Sequence, residues 1–455
     1  MTPLPTTPIR RPAPAAVRRL RIHRAAGVLT LAACLLFLSV QPAGAQFVTG
    51  RLTTSFYTWE RFDSVDASTV YLRGVQTVQL SVAQDNLSLH SYLSGAMMTD
   101  QNSFTARVYN LYLRWANIGR ALDLNVGRQA IYAGVGSGTI DGLSAKLHLL
   151  KDRVTVLGFG GAAPTIGYRG LRSNFTDNLS LGGQIVTTAV PGARIGLSYL
   201  NRKEERDPYW TLRARDTAYT PVPYYVTFEP EAEELLGGDV YYAYGEIVTV
   251  YGRVDHDLKN EETSRLQGSV RVSATDRLAF TAEVMHRLPR IRFNSIFSAF
   301  VRNPVNEVEG GAEYALSPLT TAFARVAGVT YEGEKSMRWT VGLNSGYGAL
   351  SYSGSDGYAG ELQSVSAQGF YPLAEGRIVP GAGLSWASYR ITADEQRMDA
   401  WSGSLGATVR PSAMISIDLQ GQWLSNPIYS SDLRLFLKFN YWFKEQLGIF
   451  GREVK

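Results

Sequence analysis

Residues 433–443 read LRLFLKFNYWF. Leu433, Leu435, Leu437, Phe439, Tyr441 and Phe443 occupy alternate positions, and Arg434, Lys438 and Asn440 fall between them. A helix would scatter these residues around its axis. A strand sorts them onto two opposite faces, because its side chains alternate with a period of two. A run of this kind also has the length a tilted strand needs to cross a bilayer, about 9–11 residues.

The same period recurs through the rest of the chain after residue 46. Val70, Leu72, Val78, Leu80 and Val82 alternate with Tyr71, Arg73, Thr77, Gln79 and Ser81. Leu122, Leu124 and Val126 alternate with Asp123 and Asn125, and Leu143, Ala145, Leu147 and Leu149 with Ser144, Lys146 and His148. Trp401, Leu405, Ala407 and Val409 alternate with Ser402, Ser404 and Thr408, and Ile415, Ile417, Leu419 and Trp423 with Ser416, Asp418, Gln420 and Gln422. No segment sustains a 3.6 period, so the sequence predicts no substantial helix beyond its first 45 residues.

Tight connections fall at 83–86, 117–121, 151–152, 191–192, 245–246, 274–277, 317–318, 345–348, 372–377 and 410–413. Variable connections lie between them, and three are long: 163–177, 203–234 and 289–306. Short turn, variable loop, short turn is the rhythm of an all-β, antiparallel, up-and-down transmembrane barrel. Counting strands between these connections gives about 22, with 18–24 as the range that boundary placement allows. Strands of a secreted sandwich or propeller alternate too. Two features favour the membrane. The runs exceed the usual 5–6 residues of soluble strands. Aromatic residues also gather near strand ends (Tyr57 and Trp59, Trp115, Tyr241 and Tyr242, Trp386 and Tyr389, Tyr441 to Phe443), as two interfacial girdles require.

The first 45 residues read as a cleaved export signal. Six arginines (Arg10, Arg11, Arg18, Arg19, Arg21 and Arg24) precede an apolar run from Ala25 to Val40, and Ala43-Gly44-Ala45 has the small-x-small form of a cleavage site. The run is too short to span a bilayer as a helix, which takes about 20 residues. Leu31-Ala32-Ala33-Cys34 matches a lipobox, but Leu35 to Leu38 stay apolar where a lipoprotein turns polar. Arg18-Arg19 has the form of a twin-arginine signal, yet a barrel must reach its membrane unfolded, which favours the general secretory route. The whole chain carries a net +5 from 45 basic and 40 acidic residues; without the six leader arginines the other 410 residues hold 39 basic and 40 acidic groups. That balance removes any basic patch for nucleic acid. The chain's one cysteine lies in the leader, so residues 46–455 use neither disulfides nor cysteine metal sites. The first strand begins at Phe47, which leaves no room for a plug domain between the cleavage site and the barrel.

Gly127-Arg128-Gln129, the glycine-rich stretch 134–138 and Asp141-Gly142-Leu143 together form a pattern of paired strands. It resembles the GRQ…DGL pattern of alginate-export-type channels among Gram-negative outer-membrane porins. The C-terminal strand is similar to the aromatic final strand read by the barrel-assembly machinery, although Lys438 stands at the usual glycine position and twelve residues follow Phe443. The resemblance implies an outer-membrane channel; it does not carry alginate over as the solute.

In lipid, a barrel turns its apolar side chains outward and its polar ones inward. Parity then names the lumen: Arg73, His90, Arg114, Asp123, Lys146, His148, Arg253, Asp255, Arg265, Arg271, Glu283, Glu309, Glu313, Arg338, Asp418, Arg434 and Lys438. Mixed charges of this kind fill or wet any wide interior, and facing acidic and basic ladders would also screen solutes. Gly127, Arg128, Gln129, Asp141 and Gly142 are the constriction candidates. Strict parity sends Arg128 to the lipid side with Leu124 and Val126, unless a bulge at Gly127 re-aims it. The loop 203–234, with Tyr209, Trp210, Tyr219, Tyr224, Tyr225 and Phe228, is a second candidate for narrowing the pore, or for a flap that touches a ligand, or for a solvated lid.

Enzymatic readings are thin. Asp255-His256-Asp257 sits near the outer end of a strand, as the acid and histidine of a rim protease would, but a solvated turn is the better explanation. His286 has lipid-side parity and no serine partner. No cofactor, phosphate-loop, zinc or nucleophile-elbow motif is present. The expected function is passive passage of small polar or charged solutes. The competing expectation is a non-conducting surface protein whose long loops bind a ligand.

Overall fold

The computed structural model describes residues 46–62, 68–98, 103–171, 175–205, 209–214, 221–226, 231–290, 302–392 and 394–447. Residues 1–45, where a leader, its cleavage site and Cys34 are expected, lie outside the described residues, as do Tyr219 and Phe228 of the second long loop and the 291–301 portion of the third.

The chain runs through β1 Gln46–Phe62, β2 Ser68–Gln84, β3 Leu87–Met98, β4 Ser103–Ile118, β5 Leu122–Ala133 and β6 Gly136–Leu149. There follow β7 Val154–Ala162, β8 Leu179–Thr187, β9 Ala193–Glu204, β10 Tyr209–Ala214, β11 Pro221–Val226 and β12 Glu231–Tyr244. Next are β13 Val248–Asp257, β14 Glu262–Ser273, β15 Leu278–Arg287, β16 Val305–Ser317, β17 Thr320–Tyr331 and β18 Glu334–Ser345. The last are β19 Gly348–Gly357, β20 Glu361–Phe370, β21 Ile378–Arg390, β22 Met398–Ser412, β23 Ile415–Ser425 and β24 Ser431–Leu447.

Twenty-two of these strands form one antiparallel sheet in which each pairs with its sequence neighbour, β9 pairs directly with β12, and β24 returns to β1. The sheet is therefore a closed up-and-down barrel of 22 strands with no free edge. In hydrocarbon no water can satisfy an unpaired strand edge, so closure is the form a membrane sheet must take. Helical structure among the described residues is limited to three-residue 3-10 turns, none able to cross a membrane, and no plug domain is present among them. The ten tight connections all fall at the end where β1 starts and β24 stops. The three long loops fall at the other end.

The loop 203–234 holds more structure than its sequence suggested. β10 and β11 pair as a separate hairpin, with the rings of Trp210 and Tyr225 5.0 Å apart and Arg213 4.1 Å over Tyr224.

The registers divide the wall into two faces. One carries exposed apolar side chains such as Val70, Leu72, Val126, Leu405 and Leu435, together with Trp115, Tyr242, Trp401 and Trp442's neighbours Tyr441 and Phe443. The other is polar. Tyr57 and Trp59, expected in an outer girdle, belong to the polar face: they pair with Arg73 and Tyr71, and Trp59 stacks on Tyr71 at 4.8 Å. Tyr241 and Tyr389 fall on that face as well. Closeness to a strand end sets a residue's height in the wall, whereas parity sets its side.

The seam where β24 meets β1 is locked by buried polar groups. Thr53 Oγ1 donates to Asn440 Oδ1 at 3.0 Å, and Asn440 Nδ2 donates to Ser416 Oγ at 3.0 Å and Asp418 Oδ2 at 3.2 Å. Thr408 Oγ1 donates to the other oxygen of Asp418 at 2.7 Å, so the network spans β22, β23, β24 and β1. An Asn440→Ala variant leaves Thr53 and Ser416 short of a partner in a buried site, which costs ~1–3 kcal/mol. Its urea midpoint in detergent, followed by tryptophan fluorescence, should fall; an unchanged midpoint would show that the seam does not depend on this network.

Candidate functional site

The glycine-rich pattern of β5 and β6 builds a projection from the wall. β4 stays paired with β5 only as far as Leu111 opposite Arg128, and β7 leaves β6 at Asp141 opposite Ala162. Beyond those points residues 129–140 pair only with each other, from Gln129 opposite Ile140 to Ala133 opposite Gly136. The hairpin leaves the wall at Gly127 and Gly142, which face each other. Gly127 has φ +126°, a conformation that side chains disfavour. A Cβ there would run into the Leu111 carbonyl, and one on Gly142 into the Gly160 carbonyl.

Arg128 and Asp141 clamp this bend. Arg128 donates through Nε to Asp141 Oδ1 at 2.6 Å and through Nη2 to Oδ2 at 2.7 Å, the bidentate fork that suits a carboxylate. Its remaining donors reach the carbonyls of Val108 at 2.9 Å, Tyr168 at 3.3 Å and Gly170 at 2.6 Å, so the same guanidinium also ties down the loop after β7. Arg128 is 5% exposed and Asp141 8%. Arg128 thus points neither to lipid nor to open solvent: the bend at Gly127 turns it into the base of the hairpin. Gln129 is buried beside it and accepts from Ser144 Oγ at 2.7 Å.

The far end of the hairpin docks on strands that are not neighbours of β5. Ile131, Ala133, Val135 and Ile140 pack with Phe159 of β7, Leu200 of β9 and Leu235 of β12 in one apolar cluster. Val135 N donates to Ser198 Oγ at 3.0 Å, Arg253 Nη2 to Gly134 O at 3.4 Å, and Arg202 Nη1 to Ser137 O at 3.4 Å. Val135 fills the space that a Cβ on Gly237 would take. Phe159, Ser198, Leu200, Gly237 and Arg253 all lie on the polar face, so the hairpin is a strap laid along that face. Its other side presents Ala130, Ser137 and Tyr132, the last 81% exposed.

Every charged residue expected in the lumen shares this polar face, and most are already paired. Arg114 binds Asp123 at 2.8 Å; His148 stands between Asp152 at 2.8 Å and Asp123 at 3.8 Å. Arg253 holds Asp255 at 2.9 and 3.0 Å beneath the strap's tip. Arg265 bonds to Gln267, which donates to Glu283 at 2.8 Å. Glu313 takes both Arg271 and Arg325, and Arg338 bridges Glu307 and Glu309. Arg434 binds Asp432 at 2.7 Å. The register sets Arg73 opposite Tyr57, His90 opposite Ser81, Lys146 opposite Asp123 and Lys438 opposite Asp418.

Asp255-His256-Asp257 assembles no relay. A bulge separates Asp255 from His256, whose ring lies 3.4 Å from Thr263, while Asp257 accepts the turn amides of Lys259 and Asn260 at 3.0 and 3.1 Å. His286, on the apolar face, bonds to Asn306 at 2.7 Å. Sequence reasoning missed Glu307 and Arg325, which share the parity of residues it named. It also missed Ser198 and Gly237, for which no local signal existed.

No protein-family model and no curated protein matches the chain. Among solved structures it is similar to a point mutant of the ferric enterobactin receptor of Pseudomonas aeruginosa, at 10% identity with a TM-score of 0.55, over 89% of this chain and 81% of that one. It is also similar to two other Pseudomonas aeruginosa proteins. OpdQ shows 8% identity and a TM-score of 0.40 over 88% of this chain and 98% of that one. OccK11 shows 11% identity and a TM-score of 0.41 over the same shares. At these identities the likeness is one of barrel fold.

Removing the clamp should free the strap. Arg128→Ala strands the Asp141 carboxylate in a buried site, a change that costs ~3–5 kcal/mol. Amide hydrogen exchange of residues 129–140 should then speed up by at least about a hundredfold while the wall strands stay protected. Unchanged protection would show that the apolar cluster alone holds the hairpin.

Proposed function

We propose that the protein is a passive channel of a Gram-negative outer membrane, passing small polar solutes through the interior of its barrel. The observation that carries this reading is the polarity of a closed wall: apolar side chains on one face, ion pairs and a folded-in hairpin on the other. With strands about 4.8 Å apart and tilted by about 40°, a 22-strand wall is roughly 40 Å across. Side chains alone do not fill such a width. The interior therefore holds water, and inward segments narrow it. On this reading Arg73, His90, Arg114, Asp123 and the other charged residues of the polar face line the passage, and Gly127, Arg128, Gln129, Asp141 and Gly142 hold the strap that narrows it. The pattern at 127–143 supports kinship with alginate-export-type channels through that strap, not through a shared solute. The leader, the aromatic last strand and the apolar face support export, insertion by the barrel-assembly machinery and residence in outer-membrane lipid.

A second reading keeps the barrel as an anchor for ligand-binding loops. It is favoured by the β10–β11 hairpin, which presents Trp210 at 70% exposure beside Tyr209, Tyr224 and Tyr225.

Planar-bilayer recording of residues 46–455 tests both. The channel should conduct, should conduct more when 130–139 is replaced by two glycines, and should keep its current when 206–233 is deleted. No current above the lipid baseline, with ligand capture abolished by the 206–233 deletion, would establish the anchor reading instead.

A further inference from the structure

Across β20 to β24 the ladder aligns Phe370, Gly381, Gly406, Gln420 and Phe436 in one row on the polar face. Two glycines and a flexible amide between two rings leave a trough in the wall, a cavity of about 480 Å³. The row above continues from Gln368 through Gly383 and Ser404, and the row below through Thr408 and Asp418 to Lys438. The floor is bare because its residues lack side chains: a Cβ on Gly383 would meet Ser404 Oγ at 2.8 Å, and one on Gly406 the Leu419 carbonyl at 2.8 Å.

The chemistry around the trough is specific. Carboxamides and hydroxyls both donate and accept, which matches a ligand whose every polar group also does both. Asp418 and Lys438 stand opposite each other across one ladder step, one acid and one base, so the rim there carries no net charge. Apart from Arg410, which bonds to the Gly376 carbonyl at the turn end, the polar face of β19 to β22 carries no charged side chain and is dominated by Ser351, Ser353, Ser364, Ser366, Ser385 and Ser402. A surface of this kind offers little to an ion. Phe370 and Phe436 provide flat apolar faces at either end, suited to the C–H side of a saturated ring. Apolar walls with a few convergent polar groups are the usual composition of a small-molecule site.

We propose that this trough is a subsite for a neutral oligosaccharide of two or three polyhydroxylated rings, laid across the roughly 19 Å of four strand spacings from Phe370 to Phe436 and contacted between them by Gln368, Ser404 and Gln420. The inference deepens the channel reading, which supplies the ligand's route, but the affinity belongs to the trough alone.

Maltotriose added to a conducting bilayer should cause transient current blockades, and glucuronate at the same concentration should cause far fewer. Phe436→Ala and Gln420→Ala should each shorten the blockade about tenfold, the scale of one lost contact. Unheated gel mobility confirms that both variants are folded. Saturation-transfer NMR of the detergent-solubilised protein with maltotriose gives a readout that needs no current. Binding by NMR that both variants lose supports the trough even if no current flows, and in that case only the channel reading fails. Normal conductance without blockade or NMR transfer overturns the trough and leaves the channel standing. Blockades of equal length in both variants and the parent also overturn it.

Discussion

The hydrogen bonds that return β24 to β1 are the constraint on which the rest of the molecule depends. Without them two strand edges would lie unpaired, and in hydrocarbon each unpaired peptide group costs several kcal/mol. Once the ring is closed, every strand has one side facing outward and one facing an enclosed space. The even strand number, the shared end of both termini and the period of two all express that single requirement. The buried network of Thr53, Asn440, Ser416 and Asp418 adds side-chain bonds at the place where the two chain ends must find each other.

A wide ring creates a second demand, since its inner surface is too large for side chains to cover. The chain answers with backbone. Glycines at 127 and 142 let β5 and β6 leave the wall, and the glycine at 161 lets β6 pass close to β7. Val135 then finds its place over Gly237, where the missing side chain leaves room. Arg128 contributes mainly through where it is held. A buried ion pair gains little net energy over an apolar one, but it fixes geometry because either partner alone is costly.

Much of this fold was legible in the sequence because a period of two is a local property, readable residue by residue. The ten tight turns were legible for the same reason. The reading went astray where position was taken for orientation: Tyr57 and Trp59 sit near a strand end, yet their parity places them beside Arg73 and Tyr71. The loop 203–234 concealed β10 and β11 because six-residue strands bearing Pro221 and Pro223 give too short a pattern to register. Arg128 was the instructive case. Parity assigned it to the lipid side and a bulge at Gly127 would have re-aimed it; the register through Gly127 is unbroken, and a bend at φ +126° turns Arg128 into the base of the hairpin instead. The docking of the strap was not legible at all. Val135 and Ser198, or Arg253 and Gly134, meet across 63 and 119 residues of chain, and nothing local encodes such meetings.

Several cations of the polar face bond to a partner only two positions along their own strand: Arg51 to Thr53, Arg253 to Asp255, Arg265 to Gln267 and Arg434 to Asp432. Each guanidinium therefore lies flat on the sheet. Where the partner is a carboxylate, opposite charges sit side by side and their far field falls off as that of a dipole. In physiological salt even a bare charge is screened within about 8 Å, less than half the estimated radius of the ring. An ion travelling down the axis would hardly sense these groups, and selection would be left to molecules that graze the surface.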